Sequence, residues 1–546
     1  MLSNKLKHLY RDFNLWSLLT MTIGLLVAIP VLAIVLYLFY GVGDMWGHIT
    51  AYFLWDYCIN SMLLLLGTGF LTFLFGVLPA WVVCNYQFWG RKPLEWLLFL
   101  PLSIPSYITA YTYVGVFGNG GTWINFWQGL GISVERIELM NIYGLIWVLS
   151  CSLFPYVYGG ARATFKSYPK SLRDATYLLG KGERSYFFSV GLPLAFPAIV
   201  GGLFLVFMEV LNDYGAAKYF GVNTFTTGIF RTWTALEDLQ SAIYLSALLV
   251  LIVLIINAFV QWYKNKRSYA IKQTVSRDGT DLRVIGKRDQ FICFSLVFIP
   301  VFFGFLIPLG QLIYWARLTF ESMFTIELFW LSLQSFSMAF CAAFFVLLFG
   351  LMMVFFSNWN NLRFFHLFKR MAVIGYVVPG AIIGIGIIRS SQSIINFFSD
   401  NLDLKVGYLF YGSSFVLIYA YVFRFLAVAF NLIEANSLKL GKQLAESSYL
   451  LGKSRLKTVL KIELPLLRVT LASAFLLVFV DVMKELPLTL ILKPYHLNTL
   501  AVKAFEYADD ERVPEAAWPA LILITVIVLL IGVFNSIENR QKNKHG

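Results

Sequence analysis

The sequence predicts an all-α integral membrane protein with about twelve transmembrane helices in two parallel repeats of six. The chain of 546 residues is 59% hydrophobic and 13% charged, with a mean hydropathy of +0.71. It is too apolar to fold around a single core in water. Apolar stretches of about 20 residues, long enough to cross a bilayer, recur throughout. One polar segment, Leu172–Leu194, recurs as Leu444–Leu466 in the second half.

The apolar stretches divide evenly between the two halves. They lie near 16–41, 59–84, 96–118, 141–160, 193–211 and 241–263, then near 290–315, 329–356, 371–390, 406–430, 464–483 and 516–536. An even number of crossings returns the chain to the same side, so the halves share one orientation, related by an axis along the membrane normal. The run after Leu15 has no obvious small-residue cleavage site, and we interpret it as a retained first span.

The distribution of charge predicts the topology. A net charge of +13 could indicate nucleic-acid binding. However, Lys and Arg concentrate in alternate loops, as they do in the cytoplasmic loops of membrane proteins. We therefore predict no nucleic-acid partner and place both termini in the cytoplasm. The only long polar stretch, 264–289, is predicted to be a cytoplasmic linker between a first transmembrane repeat, 1–263, and a second, 290–546.

Each copy of the repeated segment is predicted to be a short amphipathic helix followed by a turn. The positions at helical spacing are Leu172, Ala175 and Leu179 in the first copy, and Leu444, Ser447 and Leu451 in the second. Gly180 and Gly452 supply a permissive backbone for the turn. A second short helix then leads to Leu-Pro at the start of the next span. The segment could be a mere connection, but its duplication favours an exposed apolar surface for a partner.

These segments resemble the EAA loop of binding-protein-dependent ABC importer permeases. The shared pattern is an acidic residue, two small residues, three further residues, a glycine and then Leu-Pro. The triplets read Asp174-Ala175-Thr176 and Glu446-Ser447-Ser448 where the family has Glu-Ala-Ala. The resemblance implies the type I importer permease fold, with coupling helices that dock into an ATPase. The implied coupling residues are Asp174, Ala175, Tyr177, Leu179, Gly180, Lys181, Glu446, Ser447, Tyr449, Leu451, Gly452 and Lys453.

The resemblance also implies partners and a location in the bacterial cytoplasmic (inner) membrane. The partners are two copies of a cytoplasmic ABC ATPase, a periplasmic or lipid-anchored substrate-binding protein, and membrane lipid. Gly452-Lys453-Ser454 looks like the end of a phosphate-binding loop, but Ser447 stands where that loop needs its first glycine. We therefore predict that the chain is not an enzyme, has no catalytic residue or cofactor, and leaves ATP and Mg to the partner.

Four carboxylates recur in pairs at the ends of the spans that follow the coupling loops. Glu209 and Asp213 in the first half match Asp481 and Glu485 in the second. Acidic residues in or beside spans are costly and are functional candidates, although at a membrane boundary they could simply be solvated. We place them at the outer ends of their spans. Together with the phenol of Tyr214 they would suit a hard cation in passage, and no stably bound metal is predicted.

The predicted substrate rests on two longer segments. Asn212–Trp233 and Val480–Leu521 look like the fused two-domain permeases of ferric iron importers. Thiamine and polyamine permeases share the EAA loop and stay open as alternatives. An ion-coupled secondary transporter can also be a parallel repeat of six and six helices. It needs no duplicated docking loop, however, and usually has ionisable residues at mid-membrane, where Arg424 is the main one. A membrane assembly subunit without transport activity is a third alternative.

Overall fold

A computed structural model of the chain describes residues 15–133, 135, 137–266, 282–359, 375, 378–402, 407–410 and 413–545. Within these residues the protein is helical, apart from one pair of two-residue parallel strands. Ten helical segments are long and apolar enough to cross a membrane, and one bent pair of segments passes the same test. With the apolar helix Leu15–Tyr37, they correspond one for one to the predicted apolar stretches, which confirms the fold class.

Among its described residues, the first half contains thirteen helices and the first strand. The helices are α1 (Leu15–Tyr37), α2 (Trp46–Tyr52), α3 (Leu54–Asn85), α4 (Arg91–Leu97), α5 (Ser106–Phe117), α6 (Thr122–Gly129), α7 (Ile142–Lys166), α8 (Lys170–Leu178), α9 (Glu183–Tyr186), α10 (Leu192–Asn212), α11 (Gly215–Tyr219), α12 (Phe225–Thr234) and α13 (Leu239–Lys266); the strand β1 is Tyr86–Gln87. Short 3-10 turns lie at Leu38–Tyr40 and Leu100–Ser103.

The second half begins with the second strand and repeats the plan. Strand β2 is Arg283–Val284, and the helices are α14 (Lys287–Val301), α15 (Ile307–Leu318), α16 (Phe320–Met323), α17 (Ile326–Trp359), α18 (Gly380–Leu402), α19 (Gly407–Phe410), α20 (Ser414–Leu440), α21 (Lys442–Leu450), α22 (Arg455–Thr458), α23 (Leu464–Lys484), α24 (Pro487–Leu492), α25 (Leu500–Asp509) and α26 (Ala517–His545). A 3-10 turn lies at Val513–Ala516. Most of the predicted linker and the basic residues before Leu15 lie outside the described residues.

The third span of each half begins at a proline. In the first half, Arg91–Ser103 and Ser106–Gly129 meet at 98°, and Pro105 stands at the bend in an extended conformation. The bend of the third span therefore lies at this proline, which removes a backbone donor from the helix. In the second half Pro379 precedes α18, which runs to Leu402. Helix α18 thus begins directly after Pro379, because proline suits the start of a helix and disfavours helix before it. Its end at Leu402 lies beyond the predicted end near 390, which was wrong.

The spans that follow the coupling loops begin earlier than predicted. Glu183–Asn212 and Arg455–Lys484 are each one long segment, so the expected separate short helix is continuous with its span. A π turn joins the two parts, at Phe187–Gly191 and Val459–Glu463. The Leu-Pro dipeptide follows each π turn. Its proline removes one backbone donor, and a wider turn accommodates the lost hydrogen bond.

The segment between α10 and α13 is packed inside the protein. It folds into α11 and α12, whose Ala216, Phe225 and Ile229 are almost fully buried. In the second half α24 and α25 repeat this arrangement. Their apolar side chains need cover, which the neighbouring spans supply. The carboxylates at the ends of α10 and α23 are therefore followed by packed helices and not by an exposed loop.

Each half contains a tightly packed group of three helices, and the first span of each half packs on the other half. The groups are formed by α3, α7 and α10 and by α17, α20 and α23. Helix α1 of the first half lies against α17 and α18 of the second. Reciprocally, α14 lies against α3, and α15 lies against α5. The Tyr37 hydroxyl at the end of α1 hydrogen-bonds Ser393 of α18 at 2.8 Å. The two repeats are thus interlocked.

Candidate functional site

Both predicted coupling helices, α8 and α21, end in the same backbone motif. The N–H of Gly180 donates to the Tyr177 carbonyl at 2.9 Å, and the N–H of Lys181 donates to the Thr176 carbonyl at 3.2 Å. The same bonds at the same distances join Gly452 to Tyr449 and Lys453 to Ser448. The glycines have φ of +72° and +73°. This pair of bonds closes a helix end through a left-handed residue, which glycine adopts without strain.

Two consecutive leucines project from each coupling helix end. Leu178 and Leu179 are 88% and 76% exposed, and Leu450 and Leu451 are 90% and 80% exposed. Apolar side chains this exposed, repeated at equivalent positions, mark a contact surface. The sequence analysis selected the second leucine of each pair and missed the first, Leu178 and Leu450. The signal was present, because both leucines belong to the repeated Tyr-Leu-Leu-Gly-Lys.

The small residues of each triplet have different positions in the structure. The third residue is buried, Thr176 at 6% exposure and Ser448 at 3%, and the Ser448 hydroxyl lies 2.9 Å from that of Thr458 on α22. The remaining predicted coupling residues are exposed. They are Asp174, Ala175, Tyr177, Lys181, Glu446, Ser447, Tyr449 and Lys453. Each helix is therefore anchored by the third residue of its triplet and exposes the opposite side.

The first coupling loop has an additional contact with the end of the linker. Strand β2 pairs with β1, and Arg283 of β2 forms an ion pair with Glu183 at 3.1 Å. Burial and the nearby Glu183 carboxylate raise the pKa of Tyr177 to about 12. Arg455 occupies the position of Glu183 in the second copy. The two loops therefore share a backbone motif and differ in their surroundings.

All five predicted pathway residues line one cavity of about 110 Å³ between the two halves. The five are Glu209, Asp213, Tyr214, Asp481 and Glu485. The cavity lies beside the middle of α7, which contributes Ser152 and Tyr156, and beside the middle of α20, which contributes Arg424. The carboxylates lie at the ends of their spans, as predicted, and these span ends are enclosed between the two halves. The buried helices that follow each carboxylate pair carry the chain onward from the cavity.

Asp213 and Glu485 hold the start of the short helices α11 and α24. Asp213 Oδ1 accepts hydrogen bonds from the backbone N–H groups of Ala216 and Ala217, at 2.9 and 3.2 Å. Its Oδ2 accepts from the Ser106 hydroxyl at the bend of the third span. Glu485 Oε1 accepts from the backbone N–H of Leu488 at 3.0 Å. Because backbone donors already use these oxygens, both residues act as helix caps.

Arg424 connects the two halves at the cavity. Its Nη1 lies 3.3 Å from Glu485 Oε1 and 3.2 Å from Oδ1 of Asn212 in the first half. The same Asn212 oxygen accepts the backbone N–H of Gly380 at 2.8 Å. The Arg424 and Glu485 side chains are only 10% and 5% exposed. A buried ion pair with further hydrogen bonds is a fixed element of the site.

The deeper carboxylates, Glu209 and Asp481, have fewer polar contacts than Asp213 and Glu485. Glu209 forms no hydrogen bond or ion pair with any residue that the structure describes, although it lies in the field of Arg424 and Lys484. Asp481 Oδ1 lies 3.7 Å from Lys484 Nζ. The ring of Tyr214 stacks on Phe230, with centroids 3.8 Å apart. Glu209 and Asp481 are therefore the carboxylates with oxygens left for a ligand.

The carboxylates do not form a ready-made chelate. Across the described parts of the chain, no three His, Cys, Asp or Glu side chains are grouped so that they could hold a metal ion. A cation in this cavity would keep much of its water shell or draw the carboxylates together. Such a site suits brief occupancy, since conduction needs binding weak enough to release the ion.

Replacing Arg424 with leucine is expected to destabilise the protein by about 3–5 kcal/mol, because Glu485 would stay buried without its partner. Thermal unfolding in detergent micelles measures the loss. The double variant Arg424→Leu with Glu485→Gln should recover part of the stability, since the amide is neutral and still accepts the Leu488 N–H. A wild-type melting temperature for the single variant would contradict the role assigned to the pair.

Comparison with known proteins places the chain among transport permeases. Residues 72–267 match the family described as binding-protein-dependent transport system inner membrane component. The chain is 25% identical over 472 residues to the Fe(3+)-transport system permease protein FbpB 2 of Haemophilus influenzae, which covers 85% of this chain and 86% of that protein.

Shorter similarities involve sulfate permeases. The chain is 28% identical over 188 residues to a probable sulfate transport system permease protein of Chlorella vulgaris, covering 34% of this chain and 69% of that protein. It is 27% identical over 149 residues to the sulfate transport system permease protein of Salmonella typhimurium, covering 27% of this chain and 52% of that protein.

The helical fold, the duplicated loop and the cavity between the repeats define a multi-pass membrane permease. More particularly, residues 72–267 carry the inner-membrane permease domain of binding-protein-dependent transport systems, and the similarity to the Haemophilus permease extends along most of the chain. Transport systems of this kind work with an ATPase and a substrate-binding protein.

Proposed function

We propose that this permease moves ferric iron into the bacterial cytoplasm, driven by ATP hydrolysis in a separate ATPase. The observation that carries the proposal is the charge of the cavity. Four carboxylates face only two cationic side chains, Arg424 and Lys484. An excess of negative charge in a partly desolvated site favours a cation and disfavours an anion such as sulfate.

Size and ligand chemistry support a metal ion over a larger organic cation. The cavity of about 110 Å³ has room for a metal ion with a few water molecules. Its oxygens belong to carboxylates, hydroxyls and amides, which are ligands that hard cations prefer. The Haemophilus protein named for Fe(3+) transport matches across both halves of the chain. Thiamine and polyamines are also cationic, so they are the competitors that the experiment must include.

The coupling loops supply the mechanical link. Each permease repeat, 1–263 and 290–546, presents one exposed leucine pair beside a rigid glycine turn, and the linker 264–289 joins the repeats. Two loops suit two ATPase copies, which use ATP and Mg. Closure of the ATPases on ATP would draw the loops together and open the cavity toward the binding protein, and hydrolysis would reset it. Both termini and both loops face the cytoplasm in this scheme, and lipid surrounds the spans.

Reconstitution with the ATPase and the binding protein in liposomes tests the proposal. Uptake of radiolabelled ferric iron should require ATP and persist when ion gradients are collapsed. Excess sulfate, thiamine or spermidine should not compete. Uptake that follows an ion gradient would indicate a secondary transporter, uptake of sulfate would overturn the cargo, and no uptake of any of these would favour an assembly subunit.

A further inference from the structure

The cavity is asymmetric although the chain is a repeat. The carboxylates recur in both halves, but the positions beside them do not. Ser152 and Asn212 of the first half correspond to Arg424 and Lys484 of the second, and all four line the cavity. Both cationic side chains therefore come from the second half. The matching carboxylates of the first half have no cation at the equivalent positions.

The two cations are held in different ways. Arg424 is buried and has partners on both halves at 3.2 and 3.3 Å. Lys484 is more exposed, at 18% of its side chain, and its Nζ lies 3.7 Å from Asp481 and 3.4 Å from the Leu102 carbonyl. These distances are at the outer limit for an ion pair and a hydrogen bond. A lysine ammonium on a flexible stem can leave such contacts easily, whereas a fixed guanidinium cannot.

We propose that Lys484 is a built-in counter-ion that occupies Asp481 until a multivalent cation displaces it, so that it selects multivalent over monovalent cations. The proposal rests on the cation-importing function proposed above. Because Lys484 is tethered three residues from Asp481, it competes at an effective concentration of about millimolar or more. A monovalent cation offers Asp481 no more charge than the ammonium does, so it gains nothing by exchange.

A multivalent cation gains from both carboxylates at once. Coulomb attraction grows with the charge of the ion, and Glu209 has no partner among the described residues that must first be displaced. The ion would meet Glu209 first, draw Asp481 away from Lys484 and bind between them. When the ion leaves, Lys484 returns to Asp481 and neutralises it. Sodium and potassium therefore never find both carboxylates vacant.

The experiment compares Lys484→Met and Lys484→Arg in the complete importer, reconstituted with its ATPase and binding protein. Methionine keeps the length of the side chain and removes the charge, and arginine keeps the charge. Entry of radiolabelled rubidium during ATP turnover should rise roughly five- to tenfold in Lys484→Met, as expected for the loss of one ion pair. Excess potassium should inhibit ferric iron uptake in that variant, but not in the wild type or in Lys484→Arg.

Separate results overturn the two proposals. If the wild-type importer takes up no ferric iron, the proposed function is wrong, and the counter-ion role that rests on it is wrong as well. If the wild type takes up iron but Lys484→Met shows unchanged rubidium entry and unchanged potassium inhibition, only the counter-ion proposal is wrong. If Lys484→Met fails to assemble, Lys484→Gln provides an uncharged polar side chain, and the same rise in rubidium entry is expected. An equal rise in Lys484→Arg would show that packing, not charge, sets selectivity.

Discussion

Valine at both Gly180 and Gly452 is expected to abolish ATP-driven uptake while the permease still inserts and keeps its cavity. Both glycines have a left-handed backbone, at φ of +72° and +73°. A side chain in this conformation costs about 1–2 kcal/mol per residue, and a β-branched residue is a stronger outlier. The helix end must then unwind, so the exposed leucine pairs leave their positions and initial uptake should fall more than about tenfold.

The matched control is asparagine at the same two positions. A Cβ added at either glycine meets no other atom within 4 Å, so only the backbone conformation distinguishes the variants. Asparagine tolerates the left-handed region and should retain most of the uptake. The amount of ATPase that co-purifies with the permease gives a second measurement. It should decrease in the valine variant and remain unchanged in the asparagine variant. A stably expressed valine variant with normal uptake would refute the coupling assignment.

Alanine at both Glu209 and Asp481 is expected to reduce ferric iron uptake by about a hundredfold. Each carboxylate should contribute about tenfold, or roughly 1.4 kcal/mol, to stabilising the ion during passage. The double variant should lose transport and keep its fold, because neither Glu209 nor Asp481 caps a helix, in contrast to Asp213 and Glu485. Uptake into liposomes at a fixed concentration of loaded binding protein measures the effect.

Two further variants separate loss of charge from loss of shape. Glu209→Gln with Asp481→Asn preserves the volume of both side chains and should be as defective as the alanine pair. Asp510→Asn removes an exposed carboxylate remote from the cavity lining and should transport as the wild type does. If the alanine pair imports iron at the wild-type rate, Glu209 and Asp481 are not on the pathway.

The repeat, the number of spans and the coupling loops could be predicted because their signals are local. An apolar run of sufficient length predicts a span by itself, and the recurrence of Tyr-Leu-Leu-Gly-Lys indicates a common structure before any contact is known. The left-handed turn at Gly180 follows from the residue type and the helical spacing before it. Local signals also marked all four carboxylates, since acidic residues are rare in apolar runs.

The position of those carboxylates depends on contacts between distant parts of the chain. Nothing in the segment after Asn212 indicates that Phe225 and Ile229 are covered, because an apolar loop residue can equally face lipid or a partner. The contact of Arg424 with Asn212 joins residues that are far apart in sequence and has no local pattern. For this reason the sequence could place the acidic residues at the ends of their spans, but it could not predict that packing encloses those ends between the halves.

The exchange of first spans between the repeats has a consequence for biosynthesis. Helix α1 emerges from the ribosome first, but the helices that cover it, α17 and α18, belong to the second half. Conversely, α3 and α5 of the first half each lack one of their packing partners until α14 and α15 have been made. The first half therefore cannot complete its packing while it is the only part in the membrane. Insertion follows the order of the chain, whereas assembly must wait for its second half.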